Sequence, residues 1–210
     1  MKAVIFDLDG VLVFTDQFHY QAWKKLADRL GICFDEEINN RLRGVSRMAS
    51  LEIILENYNG PTLTQEEKEA LAEEKNRFYR ELLRTMTPQD VSQEVVDTLA
   101  ELKKRGYKLA IGSSSKNTRF ILEKTALLDT FDKISDGTNI VRSKPDPEVF
   151  LKAAEYLNEK PGDCLVVEDA NAGIEAGIAG GMKTAAIGDA VNCGKADYEL
   201  KTIGDLLKIL

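Results

Sequence analysis

The chain begins with the stretch Ala3-Val4-Ile5-Phe6-Asp7-Leu8-Asp9-Gly10, in which a short apolar run ends in two carboxylates and a glycine. A fully apolar run of this length predicts a strand that is buried on both faces of a parallel sheet. Because residues two apart in an extended chain project to the same side, Asp7 and Asp9 are expected to face one site. Two neighbouring carboxylates suit a nucleophile beside a general acid/base, and Gly10 allows a sharp turn there.

Downstream of residue 87, short β-rich runs alternate with amphipathic segments. Together with the first run at 3–6, strands are predicted over 108–112, 133–134, 164–167 and 183–187. Helices are predicted over 95–105, 118–124, 147–157 and 172–179. This alternation predicts an α/β fold with a Rossmann-like open parallel sheet and right-handed crossovers. No element is predicted for residues 189–197.

Residues 15–86 interrupt that alternation and carry almost no strand signal. Helices are predicted near 16–30, 35–42, 46–57 and 64–85, and the last begins at a capping box of Thr64 and Glu67. We therefore expect a four-helix cap domain over 15–86, inserted into a core domain of 1–14 and 87–210. The active site is expected between the two.

Charge and cysteine content narrow the class of protein. The 210 residues carry 28 Lys and Arg against 35 Asp and Glu, a net charge of −7. This balance argues against a nucleic-acid-binding face but permits a small anionic substrate. No segment reads as a signal peptide or a membrane span. The cysteines at 33, 164 and 193 are widely spaced, so neither disulfides nor a zinc site is indicated, and a cytoplasmic location is expected.

Three further groups of polar residues follow predicted strands of the core. Ser113-Ser114-Ser115-Lys116-Asn117 precedes a predicted helix, where hydroxyls and free N–H groups favour an anion. Lys144 lies just before another predicted helix. Glu168-Asp169 form a second acidic pair, which suits a hard cation such as magnesium. Each group alone is more often a cap, a loop or a solvated face, but their joint placement at the strand ends of one sheet predicts an active site.

Taken in order, these four motifs resemble those of the haloacid dehalogenase superfamily of phosphotransferases. The resemblance implies that Asp7 is the nucleophile, that Asp9 is the acid/base and that Ser113 and Lys144 bind the transferring phosphoryl group. It also implies a magnesium ion as cofactor. The implied ligands are Asp7, the backbone carbonyl of Asp9, Asp169 and, near the same shell, Glu168.

Within that superfamily, further residues resemble the β-phosphoglucomutase family. The substrate-binding residues implied in the cap are Thr15, Trp23, Arg43, Gly44, Ser46, Arg47, Ser50 and Lys75, and those implied in the core are Ser114, Ser115, Lys116 and Asn117. His19 is implied to support catalysis. The resemblance implies a monomeric enzyme that interconverts β-glucose 1-phosphate and glucose 6-phosphate, with an aspartyl phosphate on the enzyme. Glucose 1,6-bisphosphate would be its intermediate and primer.

Several alternatives stay open at the level of sequence. A sugar-phosphate phosphatase would use the same scaffold with water as the acceptor, and a non-catalytic phosphate-binding module is disfavoured because the catalytic residues are retained. Trp23 also fits the cap core, and His19 also fits a packing role. Phe14 replaces an acid that stands there in many relatives, and Arg43 replaces a lysine, so cap closure and sugar contacts are expected to differ.

Overall fold

The computed structural model describes residues 1–42 and 45–210, and these form two compact units. One unit consists of Met1–Phe14 and Met86–Leu210, and the other of Thr15–Thr85. The second structural boundary thus lies one residue before the expected one at 86/87. Among the described residues, no helix has the length and hydrophobicity that crossing a membrane requires.

The inserted unit contains four helices within its described residues. They are α1 (Asp16–Arg29), α2 (Glu36–Asn40), α3 (Arg47–Leu55) and α4 (Gln65–Leu83). Thr64 caps the start of helix α4, where the expected capping box with Glu67 is present. Apolar side chains of α1, α3 and α4 pack into one cluster around Trp23 and Leu51, so this unit has a core of its own.

The discontinuous unit is built on one six-stranded sheet. Its strands are β1 (Ala3–Phe6), β2 (Lys108–Gly112), β3 (Lys133–Ser135), β4 (Cys164–Glu168), β5 (Lys183–Ala186) and β6 (Tyr198–Glu199). All neighbouring strands pair in parallel, in the order β3-β2-β1-β4-β5-β6. The predicted parallel α/β sheet is confirmed, and β6 is a strand that the sequence patterns did not reveal.

Helices cover this sheet, and its two central strands, β1 and β4, are buried throughout. The helices are α5 (Gln93–Lys104), α6 (Thr118–Lys124), α7 (Glu148–Leu157), α8 (Asn171–Ala179) and α9 (Leu206–Ile209). Every residue of β1 is buried, and Ala3 and Ile5 pack in one cluster with Phe150 of α7. Burial on both faces explains why β1 is apolar throughout rather than alternating.

The register of the sheet sets where the first acidic motif lies. Phe6, the last residue of β1, is paired with Ile111 of β2 and with Val167 of β4. Since β1 is central and the strands are parallel, the residues that follow β1, β2 and β4 reach the same edge of the sheet.

Candidate active site

Asp7 leaves the central strand at this edge and is nearly buried. Its backbone N–H donates to the carbonyl of Val167 at 2.9 Å, so the motif stays in the register of the sheet for one residue beyond β1. The chain then turns, and the N–H of Gly10 donates to the carbonyl of Val13 at 2.7 Å. Asp7 is therefore fixed by the sheet, whereas Asp9 lies in a tight loop beyond it.

Lys144 joins the two acidic motifs. Its Nζ lies 2.5 Å from Oδ1 of Asp7 and 2.9 Å from Oε2 of Glu168, and all three side chains are buried. Hydrogen bonds between charged groups are among the strongest in proteins, and a buried cation needs such partners. The predicted meeting of Asp7, Lys144 and Glu168 at one sheet edge is thus what the structure shows.

An aromatic ring supports the lysine from the apolar side. Nζ of Lys144 lies 4.7 Å from the ring centroid of Phe150, a cation–π distance. Phe150 in turn packs against Gly112, where an added Cβ would approach its Cδ1 to 2.5 Å. Only glycine at the end of β2 leaves this room. Sequence reasoning missed Phe150, which reads there as an ordinary core residue of α7.

The acids of this cluster are hard to ionise without a further cation. Burial raises the pKa of Asp7, and the nearby Lys144 opposes this shift. Burial also raises the pKa of Glu168, to about 8, with Lys144 opposing and Asp7 and Asp169 adding to the rise. Burial alone would lower the pKa of Lys144, but the attraction of Asp7 and Glu168 raises it overall. One cation thus faces three acids.

The acidic cluster fits a divalent metal ion. Carboxylate oxygens of Asp7, Glu168 and Asp169 lie within 4.8 Å of one another, and oxygen ligands of this kind are those that magnesium prefers. Two glycines make room for the acids. A Cβ on Gly10, whose φ is +80°, would lie 2.0 Å from Oδ2 of Asp169, and a Cβ on Gly173 would lie 2.0 Å from the carboxyl carbon of Glu168.

The serine-rich segment after β2 forms a compact turn at the same edge. Ser113 is buried, and its Oγ accepts from the N–H of Ser115 at 3.3 Å. Oγ of Ser115 accepts from the N–H of Asn117 at 3.2 Å. Oγ of Ser114 is buried without a hydrogen-bond partner among the residues described. Lys116 is exposed, whereas Asn117 is buried.

A second group of candidate residues meets inside the helical unit. Thr15 Oγ1 and the hydroxyl of Tyr79 are 2.8 Å apart, and Nζ of Lys75 lies 2.8 Å from Nδ1 of His19. Lys75 is buried, and its Nζ also lies 4.7 Å from the ring of Trp23 and 4.6 Å from the ring of Tyr79. Trp23 is itself buried in the core of this unit.

The remaining candidates of the helical unit lie at the start of α3. Ser46 caps this helix by accepting from the N–H of Ala49 at 3.3 Å, and Ser50 is buried one turn later. Nη2 of Arg47 donates to Oδ1 of Asn76 at 3.0 Å, and its Nη1 lies 3.2 Å from Oε2 of Glu73. The candidates Arg43 and Gly44 lie outside the residues that the structure describes.

Comparison with known proteins identifies the scaffold. A family model described as haloacid dehalogenase-like hydrolase matches residues 1–181. The chain belongs to this family. The superfamily resemblance read from the four motifs is thereby confirmed, and the sheet-edge cluster occupies the positions of those motifs.

Relatives of the haloacid dehalogenase-like chain include both mutases and phosphatases. It is 42% identical to a β-phosphoglucomutase of Bacillus subtilis, over 98% of this chain and 92% of that protein. It is 32% identical to a phosphorylated carbohydrates phosphatase of Thermotoga maritima, over 95% of this chain and 91% of that protein. A crystal structure of a β-phosphoglucomutase from Clostridium difficile matches with a TM-score of 0.91 and 38% identity, covering 98% of this chain and 93% of the other.

Proposed function

We propose that this enzyme is a β-phosphoglucomutase, which interconverts β-glucose 1-phosphate and glucose 6-phosphate through glucose 1,6-bisphosphate. The observation that favours a mutase is the guanidinium of Arg47, held by Asn76 at 3.0 Å. A planar guanidinium suits bidentate phosphate contacts, and the group lies in the helical unit, apart in the sequence from the acidic cluster. A mutase must hold a phosphate that is not reacting, and a monophosphate phosphatase need not.

In the proposed reaction, a carboxylate oxygen of Asp7 attacks phosphorus of the bisphosphate. A bond from Asp7 to phosphorus forms while the bond from phosphorus to the sugar oxygen breaks, which leaves an aspartyl phosphate. Lys144, already 2.5 Å from Oδ1 of Asp7, and Ser113 bind the oxygens of the transferring group. Phosphoryl transfer depends mainly on positioning and charge stabilisation, which these groups supply.

Asp9 is the proposed acid and base. It donates a proton to the sugar oxygen that leaves phosphorus and takes a proton from the sugar hydroxyl that attacks next. Asp9 lies in the loop that follows β1 and is partly exposed, whereas Asp7 is buried. A general acid/base of this kind contributes about 10²- to 10⁴-fold in rate.

A magnesium ion is the cofactor that the acids fit. Asp7, Asp169 and the backbone carbonyl of Asp9 would hold it, with Glu168 beside them. When bound, the ion offsets the negative charge of the phosphoryl group and of the acids around it. Lys144 alone does not balance these acids, which is why the cluster favours a cation.

The sugar must bind in two orientations, because either phosphate takes the reacting position in turn. We assign the non-reacting phosphate to Arg47, with Ser46 and the segment Ser114–Asn117 as further partners. Thr15, His19, Trp23, Ser50 and Lys75, together with Arg43 and Gly44, are the proposed sugar-facing group of the cap. Exclusion of water during transfer would keep the aspartyl phosphate from hydrolysis.

The alternative is a sugar-phosphate phosphatase, in which water rather than a sugar hydroxyl receives the phosphoryl group. The similarity to the Thermotoga maritima phosphatase, 32% identical over 95% of the chain, supports this second candidate. Both reactions share Asp7, Asp9, Ser113 and Lys144, so the acceptor is what separates them.

The test is to incubate the enzyme with β-glucose 1-phosphate and magnesium, with and without a trace of glucose 1,6-bisphosphate. We expect glucose 6-phosphate to form, to form faster with the bisphosphate, and not to form with Asp7→Asn. The α-anomer, which has the same mass and charge, is the control substrate. Absence of glucose 6-phosphate under all conditions would refute the mutase.

A further inference from the structure

One contact in the helical unit bears on how tightly this enzyme holds its substrate. Nη1 of Arg47 lies 3.2 Å from Oε2 of Glu73, an ion pair between the start of α3 and the middle of α4. Arg47 is the residue to which the proposed function assigns the non-reacting phosphate. The carboxylate of Glu73 therefore already lies beside the guanidinium to which that phosphate would bind.

Asn76 connects the two charged groups from the buried side. Its Oδ1 accepts from Nη2 of Arg47 at 3.0 Å, and its Nδ2 donates to Oε1 of Glu73 at 3.3 Å. Asn76 is 8% exposed, whereas the side chain of Glu73 is 63% exposed. The neutral, buried amide therefore fixes the guanidinium, and the exposed carboxylate contributes charge more than position.

The surroundings of Arg47 favour an anion beside it. Arg47 is the first residue of α3, where the positive end of the helix dipole is unfavourable for a cation. Burial lowers the pKa of Arg47, and Glu73 opposes that shift. Without the charge of Glu73, the buried guanidinium of Arg47 would still be stabilised by a negative group. A phosphate group would be such a partner.

We propose that Glu73 is an internal counter-anion of Arg47 that competes with the phosphate of the substrate and weakens its binding. The proposal rests on the role of Arg47 in the proposed function. An anion that approaches the guanidinium must displace the carboxylate or bind beside it, and each course makes binding less favourable. Glu73 thus acts on affinity for phosphorylated sugars and not on the chemical step.

A purely structural ion pair is the competing explanation, and the same two helices provide a matched control. Nζ of Lys68 on α4 lies 2.9 Å from both carboxylate oxygens of Glu52 on α3. Glu52→Gln removes the same charge and breaks an ion pair between the same helices, but leaves Arg47 and Glu73 untouched. It therefore reproduces the packing and net-charge effects of Glu73→Gln without the effect on Arg47.

The experiment compares wild type, Glu73→Gln and Glu52→Gln in two steady-state assays. One follows loss of a phosphoryl group from glucose 1,6-bisphosphate to any acceptor, sugar or water. The other follows hydrolysis of acetyl phosphate, which has no second phosphate. We expect Glu73→Gln to lower KM for the bisphosphate about two- to fivefold, the range for an exposed ion pair, with kcat unchanged. KM for acetyl phosphate should not change.

Two further comparisons assign the effect to charge at Arg47. The KM difference should shrink as salt rises, because exposed charges are screened. It should also vanish when Glu73→Gln is combined with Arg47→Ala, as a double-mutant cycle requires. An unchanged or higher KM in Glu73→Gln, an equal drop in Glu52→Gln, or a drop that persists with Arg47→Ala would each overturn the proposal.

Failure of the proposed mutase activity can be distinguished from failure of the proposed role of Glu73. If the enzyme hydrolyses the bisphosphate but does not convert β-glucose 1-phosphate into glucose 6-phosphate, the mutase is refuted. The KM comparison among the variants still decides the role of Glu73 in that case, because it counts transfer to water as well as to sugar.

Discussion

Asp7 and Asp9 are only two residues apart, yet their surroundings suit different tasks. Asp7 is 7% exposed and bonded to Lys144, which holds the oxygen of the proposed nucleophile in one place. Asp9 lies in a loop closed by the contact of Gly10 N–H with the carbonyl of Val13. Asp9 is also more exposed than Asp7, which suits the proposed exchange of protons with a bound sugar.

We therefore expect Asp9→Asn to lower kcat about 10²- to 10⁴-fold, because the amide neither takes nor gives the proton. Magnesium affinity should stay close to that of wild type, since only the backbone carbonyl of Asp9 is a proposed ligand. Calorimetric titration with magnesium and steady-state kinetics measure the two effects. Full activity in Asp9→Asn would remove Asp9 from the mechanism.

Gly10 leaves room for the side chain of Asp169. An alanine there would place its Cβ 2.0 Å from Oδ2 of Asp169, so the acid must move away from the cluster. We expect Gly10→Ala to weaken magnesium binding about tenfold or more, as changes next to metal ligands do. Magnesium titration of the purified variant measures this loss.

Gly106 is the matched control for that variant. Its φ of +87° is close to the +80° of Gly10, but an added Cβ would meet no atom within 4 Å. Gly106→Ala should therefore show the backbone strain alone, about 1–2 kcal/mol of unfolding free energy, with normal magnesium affinity. Equal magnesium affinity in both variants would mean that the approach of Gly10 to Asp169 does not matter for the metal.

At the scale of elements, the capping box fixes where α4 begins, and α4 carries Glu73, Lys75 and Asn76. Oγ1 of Thr64 accepts from the N–H of Glu67 at 3.2 Å, and the Thr64 N–H donates to Glu67 Oε2 at 2.7 Å. We expect Thr64→Ala to lower the unfolding free energy by about 1 kcal/mol in urea titrations. Thr62→Ala, an exposed change just before the helix, should leave it unchanged; equal losses would argue against the cap.

Elements differ in how far the sequence reveals them. The run Ala3–Phe6 is predictable because a strand buried on both faces must be apolar throughout. β6 is not predictable from the sequence, because it has only 2 residues, Tyr198–Glu199, and forms by pairing with Ala185 and Ala186. Predicted helix ends differ by a few residues, as at α3, which ends at Leu55 rather than near 57.

For the whole molecule, parallel topology is what makes the core site predictable. Lys144 and Asp7 are 137 residues apart, yet the parallel strands bring the end of β1 and the loop between β3 and α7 to one edge. Two other features depend on side-chain contacts between distant segments. One is the packing of Lys144 on Phe150 and of Phe150 on Gly112. The other is the set of contacts among Arg47, Asn76 and Glu73. No sequence spacing encodes those contacts, so only the structure reveals them.

The fate of the phosphoryl group tests the proposed mutase most directly. β-Glucose 1-phosphate labelled in its phosphate is given to the enzyme with magnesium and a trace of unlabelled bisphosphate, and the products are quantified. If Asp7 passes the group between sugar hydroxyls, the label should appear in glucose 6-phosphate and the bisphosphate, with only a minor share as inorganic phosphate. Inorganic phosphate as the main labelled product would contradict the mutase and establish a phosphatase.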